Sequence, residues 1–290
     1  MSHHLTRRQF LRLAFASSLL GMGSLAYAQH VEPDWIDVAE RHLRLPRLDS
    51  AFQGYRIVQL SDLHADAWMT PARLETIVAL ANAQRPDLIA ITGDFVTHDP
   101  EIYAPSLIAA LRKLKALDGV VAILGNHDHW TDAEVVRGVI AESNLRYLGN
   151  AAYTLARDHA LLTIAGVDDY WERLDRLDLV LANLPASGSA ILLAHEPDYA
   201  DISAATGRFD LQLSGHSHGG QVLLPLLGPP VLPLYGRRYP VGRYQVGRMI
   251  QYTNRGLGMI HPQVRFNCRP EISVLILESP PQGAEVSDDA

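Results

Sequence analysis

The sequence predicts an α/β protein built on a parallel sheet. Two observations carry this. Between residues 56 and 143, short apolar runs alternate three times with helix-patterned stretches, and that alternation implies right-handed crossovers between parallel strands. Polar clusters led by Asp62, Asp94 and Asn126 follow the apolar runs at a constant spacing of 32 residues, about one strand-plus-helix unit. Equivalent strand ends then lie side by side, and ligands of such sheets bind at the carboxyl ends of the strands.

Taken in order, residues 29–53 form a polar lead-in, with an edge strand expected between Ile36 and Leu48. The first buried strand is 56–60. A helix follows over 71–84, with apolar residues at Leu74, Ile77, Val78 and Ala81 on one face. Thr70 suits its N-cap and Pro71 its first turn. The second strand is 88–92, the second helix 103–117, and the third strand 120–124. Gly125 then offers a sharp turn, and an extended exit would aim Asn126 and His127 in different directions. The run Thr131-Asp132-Ala133-Glu134 reads as a capping box opening a third helix to about Ser143. The second half is strand-rich, with strands expected at 161–167, 190–194, 211–214, 221–224, 249–253 and 272–277, and a helix over 176–184. Residues 225–240 read as a long Pro-, Gly- and Leu-rich surface loop, and 279–290 as an acidic disordered tail.

The first 28 residues stand apart. Thr6-Arg7-Arg8-Gln9-Phe10-Leu11 is a twin-arginine pattern, followed by a weakly apolar run and Ala26-Tyr27-Ala28, an A-x-A cleavage site. The apolar run is too short and too rich in Ser and Gly for a comfortable membrane span. An uncleaved amphipathic helix is the alternative. No cysteine lies near the cleavage site, which argues against a lipid anchor. The leader implies export by the twin-arginine translocation machinery to the periplasm or cell envelope.

The chain has 290 residues, 48% of them hydrophobic, enough for one large domain, placed at 54–278. Loss of the leader removes three of 25 Lys and Arg and no acid, which leaves a formal charge of −10. Such an acidic surface is a poor nucleic-acid binder, and no nucleic-acid patch is expected. Cys268 is the single cysteine. Stability must come from packing, helped by metal, rather than from an internal disulfide.

Five clusters carry the chemistry: Ser61-Asp62-Leu63-His64, Gly93-Asp94, Gly125-Asn126-His127-Asp128, Ala194-His195-Glu196 and Gly215-His216-Ser217-His218-Gly219. Each follows an apolar run. Asp62 and His64 are two apart, as are His216 and His218, so each pair leaves a strand end on one side. Together they offer carboxylates, an amide and imidazoles, a donor set for borderline divalent ions such as Mn, Fe or Zn.

In their order these clusters resemble the calcineurin-like metallophosphoesterase superfamily, over residues 54–277. With the twin-arginine leader, the chain is similar to the exported bacterial branch of the YkuE and YaeI type. The resemblance implies a four-layer α/β/β/α sandwich of two mixed sheets with a dinuclear metal site between them. It assigns Asp62, His64 and His218 to a first metal and Asn126, His195 and His216 to a second, with Asp94 bridging. It also makes His127 the general acid and Asp128 the residue that orients it. The segments 254–258 and 265–267 also look like this branch, as backbone and supporting features.

The activity so implied is hydrolysis of phosphate monoesters or diesters with two divalent ions. The ions outweigh the ligand carboxylates and a bridging hydroxide, so an acidic protein can still attract a phosphate ester. Two alternatives use the same donor types: a non-catalytic, metal-stabilised binding module, and another dinuclear hydrolase such as an amidase or lactamase. Complete ligands with an intact His127 argue against the first, and ligand order against the second. The 225–240 loop, whose apolar stretch 224–234 is followed by Arg237 and Arg238, is expected to lie beside the site and offers a lipid or membrane contact.

Overall fold

The protein is described by a computed structural model that covers residues 6–281. One six-stranded sheet has the order β1-β12-β2-β3-β4-β5, made of β1 (Asp37–Arg44), β2 (Arg56–Leu60), β3 (Leu88–Thr92), β4 (Val120–Ile123), β5 (Arg146–Tyr147) and β12 (Glu271–Glu278). From β2 to β5 the strands are parallel, while β12 runs antiparallel to β2. The second sheet has the order β10-β11-β9-β8-β7-β6. Its strands are β6 (Ala151–Arg157), β7 (Ala160–Gly166), β8 (Ser189–Leu193), β9 (Leu211–Ser214), β10 (Gly242–Val246) and β11 (Met249–Thr253). β7, β8, β9 and β11 are parallel; β6 and β10 pair antiparallel at the edges.

The helices are α1 (Arg7–His30), α2 (Pro71–Ala83), α3 (Pro100–Leu111), α4 (Asn126–Trp130), α5 (Ala133–Glu142), α6 (Leu177–Ala182) and α7 (Ala200–Ala205). The period of two along the strands sorts the core into layers. Val58, Leu60, Ile89 and Ile91 pack against Leu74, Ile77, Leu107 and Val139 of α2, α3 and α5. Their neighbours Ile57, Leu88, Ala90 and Val121 face Leu162, Ile164, Ile191 and Leu213 of the second sheet. Ala190 and Leu192 point the other way, under Val180 and Ala200 of α6 and α7. The result is the four-layer α/β/β/α sandwich that the resemblance implies. Strands covered on both faces read as unbroken apolar runs, which is how they stood out in the sequence. Each fully buried Leu or Ile side chain there contributes about 1.5–3 kcal/mol by leaving water.

Local chemistry explains most boundaries. The Thr70 side chain accepts the Arg73 amide, and Pro71 opens α2, as expected. The third helix is capped differently: Asp132, not Thr131, accepts the Glu134 and Val135 amides. Thr131 instead donates its hydroxyl to the His127 and Asp128 carbonyls and so closes α4. α3 begins three residues before the expected Tyr103 and stops at Leu111. Beyond it the Asn82 side chain takes the Lys113 carbonyl and the Lys115 amide, which holds that segment out of the helix. Residues 221–224 make only isolated bridges, from Val222 to Phe266 and from Leu224 to Gly228, and no strand. The edge strands β5, β6 and β10 and the short α7 carried too weak a pattern to be read.

The leader segment is helical from Arg7 and continues two residues beyond the A-x-A site. Thr6 and Gln9 form a capping box at its start. Among the described residues, no helix is long and apolar enough to cross a membrane. Of the expected acidic tail only residues 279–281 are described; the rest lies outside the described residues.

Candidate metal centre

The polar clusters meet where the carboxyl ends of the parallel strands of the two mixed sheets face each other. Asp62 and His64 follow β2, Asp94 follows β3, and Asn126 follows β4; His195 follows β8, while His216 and His218 follow β9. All seven are buried. Five of them (Asp62, His64, Asp94, His216 and His218) hold φ between +46° and +67°, in the left-handed region that most side chains avoid. Glycine permits the close approach. A Cβ on Gly125 would stand 2.3 Å from Asp94 Oδ1, and one on Gly215 would stand 1.9 Å from Ser61 Oγ. Gly125 itself is extended (φ −119°), so space, not a turn, demands glycine there.

The donor atoms fall into two touching groups. In one, His64 Nε2 lies 3.1 Å from His218 Nε2, which lies 3.4 Å from Asp62 Oδ1. In the other, Asn126 Oδ1 lies 2.9 Å from His216 Nδ1, and the His195 and His216 rings pack edge to face. Asp94 Oδ2 joins the groups, 3.4 Å from His64 Nε2 and 3.2 Å from His195 Nε2.

The far nitrogens are anchored. His195 Nδ1 donates to the Thr92 carbonyl (2.7 Å), His216 Nε2 donates to the Leu234 carbonyl (2.8 Å), and His64 Nδ1 lies 3.2 Å from Thr97 Oγ1. A back-side N–H held in this way turns the other nitrogen's lone pair toward the centre.

The electrostatics of the histidines divide: burial pulls His195 down, but the Asp94 charge outweighs it and holds His195 well above its ordinary value. Burial pushes His64 and His216 down to about 3 and His218 well below its ordinary value, so these imidazoles are neutral at neutral pH, the form in which imidazole can ligate a cation. Burial pushes Asp62 up to about 6. For Asp94, burial acts upward, but the surrounding histidines, His195 foremost, hold it well below the usual carboxylate range. The buried atoms Asp62 Oδ2 and His195 Nε2 make no hydrogen bond. Orphaned nitrogen and oxygen donors of this kind are what a borderline divalent ion would satisfy. Ligand atoms of Asp62, His64 and His218, and of Asp62, Asp94 and His195, lie within 4.8 Å of one another, and so do those of His64, Asp94 and His127.

A family profile described as calcineurin-like phosphoesterase matches residues 55–220. The chain belongs to that family. It is 37% identical to the uncharacterised metallophosphoesterase YkuE of Bacillus subtilis, across 95% of this chain and 98% of that protein. It is 30% identical to the phosphodiesterase YaeI of Escherichia coli, across 94% and 99%. The structure of the sulfate thiohydrolase SoxB of Thermus thermophilus shares the fold alone, with a TM-score of 0.51 at 13% identity over 78% of this chain and 57% of that one. Membership makes the chain a metal-dependent phosphoesterase, a hydrolase of ester bonds.

Within that family site, His127 is half-buried beside the donors. The chain does not leave β4 extended, as the sequence reading supposed. Asn126 opens the short helix α4, and the His127 amide donates to Asp94 Oδ1 at 2.9 Å. The His127 ring packs on His64 and Trp130, with centroids 4.8 and 4.9 Å away.

Asp128 departs from its expected role of orienting that ring. Its carboxylate accepts the amides of Phe95 (2.8 Å), Val96 (3.3 Å) and Gly125 (3.0 Å), so it clamps the loops after β3 and β4 together. Among the described residues no hydrogen bond joins it to the His127 ring. Burial and the Asp94 charge push Asp128 up to about 8, while the amide donors pull it down.

The segments 254–258 and 265–268 support the centre from behind. The Leu257 and Gly258 amides donate to the Ser61 and Asp62 carbonyls. The buried Arg265 guanidinium binds the carbonyls of Arg255, Gly256, Gly258 and Cys268. Sequence reasoning missed the carbonyls of Thr92 and Leu234, the Thr97 hydroxyl, and an aromatic group of Trp130, Trp171 and Tyr235. Carbonyl partners leave no trace in residue type, but the tryptophans at the ends of polar clusters were a signal in plain view.

Proposed function

We propose that this chain is an exported hydrolase of phosphodiesters that works with two divalent ions. The observation that supports this most is the sorting of the buried donors into two groups joined by one carboxylate. Asp62, His64 and His218 would hold one ion, Asn126, His195 and His216 the other, and Asp94 would touch both. Such a pair, when bound, makes a water nucleophilic near neutral pH and neutralises phosphoryl oxygens.

The chain's residues supply the rest. The Thr92 and Leu234 carbonyls keep two imidazoles in the ligating tautomer. Asp94 Oδ1 holds the His127 amide and thereby sets where that ring stands. As water attacks phosphorus and the ester P–O bond breaks, a ring nitrogen of His127 gives a proton to the leaving oxygen.

Export is inferred from Arg7-Arg8 and the A-x-A site. The 225–240 loop touches the site through Leu234, while Leu226, Leu227 and Val231 are exposed. This supports a lipid or membrane surface as the place of work. The test of function is turnover of bis(p-nitrophenyl) phosphate by metal-loaded protein, with metal content measured in parallel. Asp94→Asn is expected to lose both ions and activity together. Full occupancy of both sites in that variant would remove the bridging assignment. Binding of metal without turnover of any phosphate ester would leave a binding module.

A further inference from the structure

We propose that Trp130 and Trp171 form an aromatic corner that takes the leaving half of the ester and favours an uncharged ring there. The inference rests on the phosphoesterase reading and adds a specificity determinant to it. Trp130 ends α4, which follows the first sheet; Trp171 follows β7 of the second. The two rings meet with centroids 5.2 Å apart and planes at 87°. The Trp130 ring lies 4.9 Å from that of His127, and the Trp171 ring 5.6 Å from that of His216. The corner therefore spans the proton donor and a ligand. A group released toward His127 must pass against Trp130.

Hydrogen bonds and ring contacts tie the corner to its surroundings. Trp130 Nε1 donates to Glu172 Oε1 at 2.8 Å, and the Glu172 amide donates to Asp169 Oδ1 at 2.8 Å. The Trp171 amide donates to the buried Glu196 carboxylate, and Tyr235 packs on the Trp171 ring with centroids 5.9 Å apart. Yet Trp130 is 50% exposed. An indole held at Nε1 and half open to solvent serves no core, and beside the donor cluster it offers a surface for a ligand ring. The Glu172 carboxylate stands beside the indole through its bond to Trp130 Nε1, which disfavours a second anionic group there. Sugar and aryl rings share the chemistry that remains, a flat uncharged face suited to an indole.

Wild type, Trp130→Ala, Trp171→Ala and Trp130→Phe are compared on methyl phosphodiesters whose second alcohol is ethanol, phenol or glucose. Taking the ratio of variant to wild type within each ester cancels intrinsic reactivity. The alanine variants are expected to lose about tenfold or more in kcat/KM on the ring esters, the scale of aromatic stacking, and less on the ethyl ester. Trp130→Phe should recover most of the loss. Loss confined to phenyl or to glucosyl names the ring. Equal proportional losses on all three would overturn the proposal and leave Trp130 as a mere support for His127. Equilibrium dialysis of phenyl phosphate, glucose 6-phosphate and ethyl phosphate supplies a readout without turnover. Ring-selective binding lost in the variants would uphold the corner even if no ester is cleaved, whereas binding indifferent to the ring would remove it.

Discussion

His127 and its neighbour Asp128 show how far a residue's type can mislead about its partner. Both are polar, adjacent and at a strand end, so a dyad is the natural reading. The carboxylate instead serves amides at Phe95 and Val96, more than thirty residues earlier in the chain, and that pairing exists only once β3 and β4 lie side by side. His127 is left with rings and a backbone bond around it, which would suit the proton donor proposed above. His127→Ala is expected to keep both metals and to lose roughly 10²–10⁴-fold in turnover. The loss should be smaller for p-nitrophenolate, which departs without a proton, than for a sugar or glycerol alkoxide. Equal losses on both leaving groups would assign the ring to phosphate positioning, and loss of metal would make it a ligand, as its closeness to His64 and Asp94 allows.

At the scale of elements, the strands and helices that bracket the site were legible because burial on both faces writes continuous apolar runs. β5, β6 and β10 were not, since edge strands bury less and their patterns fade. The short α4 was hidden too, because its length is dictated by bonds from Asp128 and Thr131 rather than by periodicity. That helix is also tied to the other sheet. His129 Nε2 lies 2.8 Å from Asp168 Oδ1, just past β7, and the Tyr147 hydroxyl donates to Asp168 Oδ2. Burial pulls His129 down, but its bond to Asp168 outweighs this and its pKa is raised; for Asp168, burial acts upward and the His129 bond brings it below its ordinary value. The pair therefore contributes stability that is full between the unfolded values of about 4 for Asp and 6.5 for His. It is lost as pH rises through the raised value of His129, or falls through the lowered one of Asp168. The melting temperature of His129→Gln is expected to lie below wild type by a few °C near pH 5, with the gap closing as pH rises through the raised value of His129; a gap that never closes on the alkaline side would mean a neutral hydrogen bond. The apolar loop after residue 224 makes its own prediction. Mature wild type should co-sediment with anionic liposomes more than a variant with Leu226, Leu227, Arg237 and Arg238 replaced, and equal sedimentation would show a loop that merely packs on its own domain.

For the whole molecule, the proposed twin-arginine leader makes a prediction of its own. Changing Arg7 and Arg8 to Lys is expected to stop export, followed by fractionation; unchanged export would remove the twin-arginine assignment. Much of the centre was legible from the sequence because all seven proposed ligands stand directly after apolar runs, whereas the partners that orient them come from distant loops. His218 and Asp62 are more than 150 residues apart in the chain, and ligands come from both sheets. Neither half can present a complete donor set alone. Ion capture by the proposed site would therefore wait for this long-range closure of the fold, and if the protein is exported folded, as proposed, the compartment in which the sheets first dock would set which ions are offered to it.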